Sequence, residues 1–464
     1  MKGRLSAALC AAGALLLFFL PFSNPDVFWH LSAGRWMAEH LAIPRQDWLS
    51  HTLAGAPWAD FEWLPQLLYY GIYSAFGLKG LWLLKAAVLS GCAAVLWKTA
   101  GPTAALLWAA SLAHSNDLRP ENFSLLFLLG LSKRLEEDRV GPWLYALFAL
   151  WANVHPGFVY GLALLAVHRW RRPAPVLLAG LATLLNPYGA GLYAVLWRHA
   201  ADAPLLRAYI REWQAPGLSL SLWPFWIVLA GTAALAAARR LRARDAVSAA
   251  LFGALAAAHV RMTPYFLCLA VPMLLRVRMR WIPAAALAIA LPAAASQLPG
   301  FRRFSCADMS QLPVGMTDFI RGEAAELRGL RLFNPWGWGG YLGFRLFPDL
   351  RVSVDGRYIF HGLLKPMYEA TASPEDYRSF LDGHGMQLAA VEHVRQFVRT
   401  ETGAVLPFYE TYFPRGTWAL LYRDDQALLF ARRDALPERY LRERDLRPTS
   451  SLPASSPGPA CAAR

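Results

Sequence analysis

Eleven apolar segments, separated by short loops, fill the first 300 residues of this 464-residue chain and constrain its fold more than any other feature. They lie at 5–22, 63–97, 101–113, 122–132, 142–153, 157–168, 174–198, 222–238, 245–258, 262–275 and 281–297. A straight membrane crossing needs about 20 apolar residues, so the shorter segments must draw on their flanks or be broken. Charged residues make up 17% of the chain, whereas a soluble domain carries about 25%. The pattern predicts a polytopic membrane protein with about 11 transmembrane helices.

The loops between these segments are of two alternating kinds. One kind is basic and comprises Lys133–Arg134 with Arg139, and the stretches 168–172, 239–244 and 276–280. The other kind is rich in specific polar residues and comprises 23–62, 114–122, 153–157, 186–189, 211–213 and 259–264. Basic loops belong in the cytoplasm, so the polar loops and everything after Gln297 are expected on the outer face. Because the net charge of +14 comes largely from these short clusters, it does not indicate a nucleic-acid partner.

Two of the apolar segments carry signals beyond their length and composition. The first follows Lys2 and Arg4 and lacks an A-x-A cleavage site, which predicts an uncleaved first helix. Residues 63–97 look like two helices, although the alternation of the loops requires an odd number of crossings there. One of the two helices would then lie in the interface or be re-entrant.

The composition changes at about residue 300, which divides the chain into three parts. Residues 1–300 are the predicted transmembrane domain, with 23–62 as its first outer loop; 301–446 are a small extracytoplasmic α/β domain; and 447–464 are a disordered tail. Alternation predicts a strand at 351–355, and the short runs at 388–392, 418–422 and 427–431 read as further strands. Residues 374–381 read as an amphipathic helix. Residues 423–426 are the predicted turn of a hairpin between the last two strands.

The stretch N-P-D-V-F-W-H-L-S-A-G-R-W at 24–36 places an acid and an imidazole beside the first apolar segment. Asn24 suits a helix N-cap and Pro25 suits the first helical position, so a helix to about His40 is predicted. It would carry Asp26 and His30 one turn apart, as an interfacial helix with its apolar side chains against lipid headgroups. The alternative is that Asp26 only complements the helix dipole and His30 only sits in the interface.

Further ionisable residues in the polar loops are candidates for substrate binding. They are Asp60, Glu62, Asp117, Arg119, His155 and Arg261. Arginine clamps phosphate through a planar fork, so carboxylates beside arginines suit a lipid-phosphate sugar donor. Taken singly, each of these residues also fits a helix terminus.

The motifs of the first outer loop resemble those of a known superfamily. An acid directly after the first helix, P-R-x-D at 44–47 and G-A-P-W-A-D-F-E-W-L at 55–64 are similar to the integral-membrane glycosyltransferases of the C superfamily (GT-C). The architectural resemblance covers residues 1 to about 300. The stretches N-P-W-G-W-G-G-Y-L (334–342) and S-V-D-G-R (353–357) look like those of uncharacterised bacterial membrane proteins with the same first loop.

The resemblance implies an activity and roles for particular residues. The donor would be a polyprenyl-phosphate sugar, Asp26 would act on the acceptor as base, and Arg119 or Arg261 would stabilise the phosphate leaving group. His30 is not part of the superfamily's pattern and is a catalytic candidate only through its position one turn after Asp26. No cofactor is required by the sequence. Some members need a divalent metal, for which Asp26, His30 and Asp60 could serve as ligands, although no spacing demands it. The expected partners are the donor and membrane lipid, with an unidentified acceptor, at the inner membrane of a bacterium.

Two other functions stay open at this point. Many relatives carry Asp-Glu where this chain has Asp26-Val27, which favours a non-catalytic assembly protein that kept the scaffold. A lipid or solute transporter would place ionisable residues near the middle of its helices. Here they cluster at helix ends, which disfavours transport.

Overall fold

The computed structural model describes residues 2–112, 115–276, 306–394, 397–399 and 405–446, together with the isolated positions 288, 292 and 295. The chain divides into two units. The helical unit comprises Met1–Asn24 and Phe61–Asp308, and the mixed unit comprises Pro25–Asp60 and Met309–Arg464. Residues 25–60, which the sequence analysis treated as a loop of the transmembrane domain, therefore group with the C-terminal part of the chain.

Helices are numbered along the chain. Those of the helical unit are α1 (Lys2–Phe18), α3 (Trp63–Ala100), α4 (Pro102–Ser111), α5 (Glu121–Glu136), α6 (Trp143–Val154), α7 (Phe158–Arg169), α8 (Ala174–Ala182), α9 (Gly191–Ala201), α10 (Ala203–Tyr209), α11 (Trp223–Ala237), α12 (Ala243–Ala258) and α13 (Thr263–Leu275). Short 3-10 helices occupy Arg211–Trp213, Leu220–Leu222 and Val260–Met262. Proline stands in the first turn of several of these helices, where its missing N–H costs nothing.

The core of the helical unit combines many leucine and alanine side chains with large aromatic ones. Trp108 and Trp151 are fully buried, and Phe148 stacks on Trp151 with their ring centroids 5.8 Å apart. Within α3, Gly77 has φ 60° and ψ −156°, which breaks the helical path. Residues 63–100 are thus two helices joined at a kink, as the sequence predicts for this region.

Among the described residues, two helices are long and apolar enough to cross a membrane by length and composition. They are Trp63–Ala100 and Leu220–Ala237. Shorter apolar helices lie at Ala7–Phe18, Trp143–Val154, Phe158–Arg169 and Val260–Leu275. The predicted segment 281–297 lies outside the described residues except for three positions, so about 11 crossings stays a prediction.

The mixed unit contains helices and two small sheets. Its helices are α2 (Asp26–His40), α14 (Val314–Gly322), α15 (Ala324–Leu327), α16 (Gly339–Leu346), α17 (His361–Ala370), α18 (Pro374–Gly383), α19 (Phe408–Tyr412) and α20 (Glu438–Arg444), with 3-10 helices at Trp336–Trp338, Tyr358–Phe360 and Arg433–Ala435. Its strands are β1 (Leu332–Phe333), β2 (Leu388–Glu392), β3 (Phe397–Arg399), β4 (Val405–Pro407), β5 (Trp418–Arg423) and β6 (Ala427–Arg432).

The larger sheet has the strand order β1-β2-β6-β5, in which only the β1–β2 pair is parallel. The predicted hairpin is confirmed: β5 pairs with β6, and Oδ1 of Asp424 accepts the N–H groups of Gln426 and Ala427 at 2.8 and 2.7 Å. An aspartate side chain that accepts hydrogen bonds from backbone N–H groups two or three residues later stabilises such a turn. Strand β2 and helix α18 are also confirmed. β3 and β4 form a separate pair that the sequence analysis did not predict.

Two predictions for the mixed unit are wrong. Residues 351–355 form no strand; Val352 makes a single bridge to Ser50, after which the chain turns. Helix α2 is not an interfacial helix, because Val27 and Leu31 are 0% exposed inside the protein. Its apolar face packs against α16, where Phe28 meets Tyr341 with ring centroids 5.0 Å apart. The predicted tail, 447–464, lies outside the described residues.

Candidate functional site

Helix α2 of the mixed unit carries the predicted acid and imidazole. Asp26 is its first residue and is half-buried, and His30 follows one turn later. Asp26 lies in the first turn, where an acidic side chain complements the positive end of the helix dipole. His30 is buried and packs on Trp29, with ring centroids 3.6 Å apart. Of the two side chains, Asp26 is the more accessible.

A buried ionic cluster fastens residues 25–60 to the C-terminal part of the mixed unit. Nη2 of Arg357 lies 2.7 Å from Oδ1 of Asp47 and 2.7 Å from Oδ2 of Asp355. Its guanidinium also lies 4.6 Å from the ring centroid of Trp58. Burial alone would lower the pKa of Arg357, but the two carboxylates outweigh it and raise the pKa above its usual value. All three charged side chains are buried, so the cluster ties the loop down firmly.

Asp60 ends the part of the first loop that belongs to the mixed unit. It is 2% exposed, and the N–H of the preceding Ala59 donates to the hydroxyl of Tyr358 at 3.0 Å. The predicted binding residue is therefore largely enclosed by protein.

In the helical unit, Glu62 lies beside His155. Trp151 donates from Nε1 to Oγ of Ser124 at 2.7 Å, and that oxygen lies 2.9 Å from Nδ1 of His155. The N–H of Gly157 also donates to Nδ1, at 2.9 Å. A backbone N–H can only donate, so Nδ1 carries no proton and neutral His155 holds its proton on Nε2. Nε2 lies 3.7 Å from Oε1 of Glu62, which is within ion-pair distance but longer than a hydrogen bond.

Two arginines and two glutamates form a charge network at helix ends of the helical unit. Arg119 binds Glu212 through both arms of its fork, with Nη1 2.7 Å from Oε2. Nε of Arg261 lies 3.9 Å from Oε2 of Glu121, the buried first residue of α5. Burial opposes ionisation of Glu212, but Arg119 outweighs it and lowers the pKa of Glu212 to about 2. The guanidinium fork of Arg119, which was predicted to bind phosphate, is thus paired with the carboxylate of Glu212.

Asp117, another predicted binding residue, holds the chain where α1 ends. Its Oδ1 accepts the N–H groups of Ser23 and Asn24 at 2.6 and 3.2 Å, and its Oδ2 accepts the hydroxyl of Ser23 at 3.3 Å. These bonds commit its carboxylate to a structural contact.

The described residues contain no group of three His, Cys, Asp or Glu side chains arranged to hold a metal ion. Asp26, His30 and Asp60 therefore do not form a ligand set of this kind.

The structure brings several predicted residues together and adds others. Glu62 meets His155, while Arg119 and Arg261 lie with Glu212 and Glu121. In the sequence, Glu121 and Glu212 stand out only as members of polar loops, and their position beside helix ends was the available signal. Ser124 was not predicted, because it looks like any serine of an apolar helix.

No protein-family model and no curated protein matches the sequence. Solved structures do match. The oligosaccharyltransferase of Archaeoglobus fulgidus in the apo form has a TM-score of 0.53 at 11% identity, covering 84% of this chain and 69% of that chain. ArnT from Cupriavidus metallidurans in the apo state has a TM-score of 0.51 at 15% identity, covering 93% and 98%. The structure of ArnT bound to undecaprenyl phosphate has a TM-score of 0.47 at 14% identity, with the same coverage.

Proposed function

We propose that this chain, whose fold is that of the GT-C membrane glycosyltransferases, moves a sugar from a polyprenyl-phosphate carrier to an acceptor on the outer face of a bacterial inner membrane. The helical unit would lie in the membrane and the mixed unit in the periplasm. ArnT, which has this fold, has been solved with undecaprenyl phosphate, and a carrier of that class suits the arginines of the helical unit.

The observation that carries the proposal is the setting of Asp26. A general base must be held in place and must also be reached by the acceptor. Asp26 meets both conditions, because its helix is packed into the mixed unit while the side chain is only half-buried. Its neighbour on the same face, His30, is enclosed, and we assign it to support of the helix instead of proton transfer.

The transfer would proceed in one inverting step. The acceptor hydroxyl oxygen attacks the anomeric carbon and gives its proton to Asp26. The bond between that carbon and the phosphate oxygen breaks, and the phosphate leaves with the electron pair. In the helical unit, Arg119 and Arg261 would stabilise the negative charge that develops on the leaving phosphate.

The carboxylate of Glu212 would compete with the phosphate for Arg119. In the empty protein it neutralises the arginine, and a bound phosphate would have to share or displace it. Glu62, held beside the Nε2 proton of His155, is suited to accept hydroxyl groups of the sugar.

A second function, a non-catalytic scaffold with this fold, is favoured by the same Arg119–Glu212 pair. A fork that is permanently closed by a carboxylate would bind no phosphate, and the mixed unit would then serve to bind a partner protein.

The lipid content of cells separates the two functions. We compare the polyprenyl-phosphate fraction of a strain that lacks the protein with strains that carry wild type, Asp26→Asn or Glu39→Gln. Glu39 is an exposed carboxylate on the same helix and is the matched control. The proposal expects a sugar-loaded carrier to accumulate in the deletion and Asp26→Asn strains only. Identical lipid profiles in all strains would favour the scaffold.

A further inference from the structure

Two glycine motifs of the mixed unit have no role in the function proposed above. W-G-W-G-G-Y-L contains Gly340, and S-V-D-G-R contains Gly356. Both glycines face the start of α2. A methyl group on Gly340 would lie 3.0 Å from the carbonyl oxygen of Pro25 and 3.2 Å from the nitrogen of Trp29. Both motifs therefore permit a close approach of backbone to this helix.

Of the two glycines, Gly356 makes the closer approach, and the side chain that it approaches is Asp26. A methyl group built on Gly356 would overlap Oδ1 of Asp26 and lie 3.1 Å from its Cγ. It would also lie 3.2 Å from Nε1 of Trp29. The backbone of Gly356 is outside the left-handed region, so glycine is required there for space and not for conformation.

The residues on either side of Gly356 fix where it lies. Arg357 donates from Nε and Nη2 to the carboxylate of Asp355, at 2.7 to 2.9 Å, and its backbone N–H donates to Oδ1 at 3.0 Å. The same guanidinium reaches Asp47 and covers Trp58. The turn is thus rigid, and through Asp47 it is bonded to the segment 25–60, which also contains Asp26.

We propose that the turn Asp355–Gly356–Arg357 positions the carboxylate of Asp26, with Gly356 as the contact and Arg357 as the anchor. A carboxylate in the first turn of a helix can still rotate about its side-chain bonds, and the turn restricts this rotation by closing one side. Its importance for sugar transfer rests on the function proposed above; the contact itself does not.

A double-mutant cycle tests the contact without any assay of transfer. Gly356→Ala is made in the wild type and in an Asp26→Ala background, and the thermal midpoint of the purified full-length protein is measured. We expect a clear drop in the wild type and a much smaller drop when Asp26 is already truncated. Gly362→Ala, on an exposed helical glycine with open space around it, should change the midpoint equally in both backgrounds. An equal drop for Gly356→Ala in both backgrounds would overturn the proposal.

A second measurement reports on the orientation of Asp26. The rate at which a water-soluble carbodiimide labels Asp26 is followed by mass spectrometry across pH. Arg357→Lys keeps the charge but loses the fork, so the labelling profile of Asp26 should shift; Arg351→Lys, at an exposed site, should leave it unchanged. An unchanged labelling profile in folded Arg357→Lys protein would contradict the anchoring role. This result would count even if the Gly356→Ala protein does not fold.

The two proposals fail separately. Coupling between Gly356 and Asp26, combined with full transfer by Asp26→Asn, would keep the positioning contact and remove the proposed function. Loss of transfer by Asp26→Asn without that coupling would do the reverse. If both hold, Gly356→Ala should lower kcat with little change in KM for the carrier.

Discussion

Nε2 of His155 lies 3.7 Å from Oε1 of Glu62, and the bonds on the other side of the imidazole determine that Nε2 carries the proton. The direction of each hydrogen bond follows. The indole N–H of Trp151 donates to Oγ of Ser124, and the hydroxyl of Ser124 donates to Nδ1 of His155. The arrangement places the N–H of a neutral imidazole near a carboxylate.

Ser124→Ala should destabilise the helical unit. The change removes a buried hydroxyl that satisfies both Trp151 and His155, and a buried donor left without its acceptor costs about 1–3 kcal/mol. Thermal unfolding of the purified protein measures the loss. Ser74→Ala is the control, because the hydroxyl of Ser74 bonds a carbonyl at an exposed position. Equal midpoints for the two variants would contradict the chain of bonds described above.

Glu212→Gln should tighten binding of undecaprenyl phosphate, and Arg119→Gln should weaken it. The first change frees the guanidinium fork for phosphate, and the second removes the fork. We expect at least about a tenfold weakening for Arg119→Gln, equal to about 1.4 kcal/mol. Ligand-induced thermal stabilisation at increasing lipid concentration gives the affinities. Arg134→Gln, at the opposite end of α5, should bind as wild type does. No difference among the three variants would exclude Arg119 from phosphate binding.

The mixed unit should lose stability as the pH falls below about 6.5. His51 lies with Nε2 3.0 Å from the carbonyl oxygen of Leu332, and burial lowers its pKa below the usual value. The unfolded chain then binds the proton at a higher pH than the folded chain, so acid favours unfolding. The thermal midpoint should fall between pH 7 and pH 5 less steeply in His51→Gln than in wild type. His40→Gln, at an exposed site, should retain the wild-type slope; a wild-type slope in His51→Gln as well would show that His51 is not responsible.

Asp245→Ala should destabilise the helical unit where the end of α5, the start of α12 and the end of α13 meet. Nε of Arg242 lies 2.7 Å and Nη1 of Arg276 lies 3.7 Å from Oδ2 of Asp245, and both arginines also pair with Glu136. Asp245 is buried while the arginines keep part of their exposure, so the expected loss is about 1–3 kcal/mol. Asp138→Ala should have little effect, because Asp138 is 80% exposed in its pair with Arg169. Similar midpoints for the two variants would argue against this network.

Local signals in the sequence were sufficient for some elements. The hairpin of β5 and β6 follows from two short apolar runs on either side of the polar turn 423–426, and α18 follows from its amphipathic pattern. Their determinants lie within a few residues, where periodicity and turn chemistry act. The early position of Asp26 on α2 was predictable for the same reason.

Other features depend on partners that are distant along the chain. Helix α2 looks amphipathic enough for an interface, but its apolar face is covered by α16, which lies about 300 residues later in the chain. Asp47 and Arg357 meet only after folding, so the sequence offered the D-G-R stretch without a role. Val352 alternates like a strand residue, yet its one bridge is to Ser50 of the first loop.

Asp26 is the residue on which the proposed transfer depends, and the rate of transfer in membranes that contain Asp26→Asn tests it most directly. Asparagine keeps the size of the side chain but cannot take a proton from the acceptor. We predict at least a hundredfold lower rate of sugar release from the polyprenyl-phosphate carrier, with Glu39→Gln as active as wild type and both variants inserted at wild-type levels. A wild-type rate in Asp26→Asn would contradict the proposed mechanism.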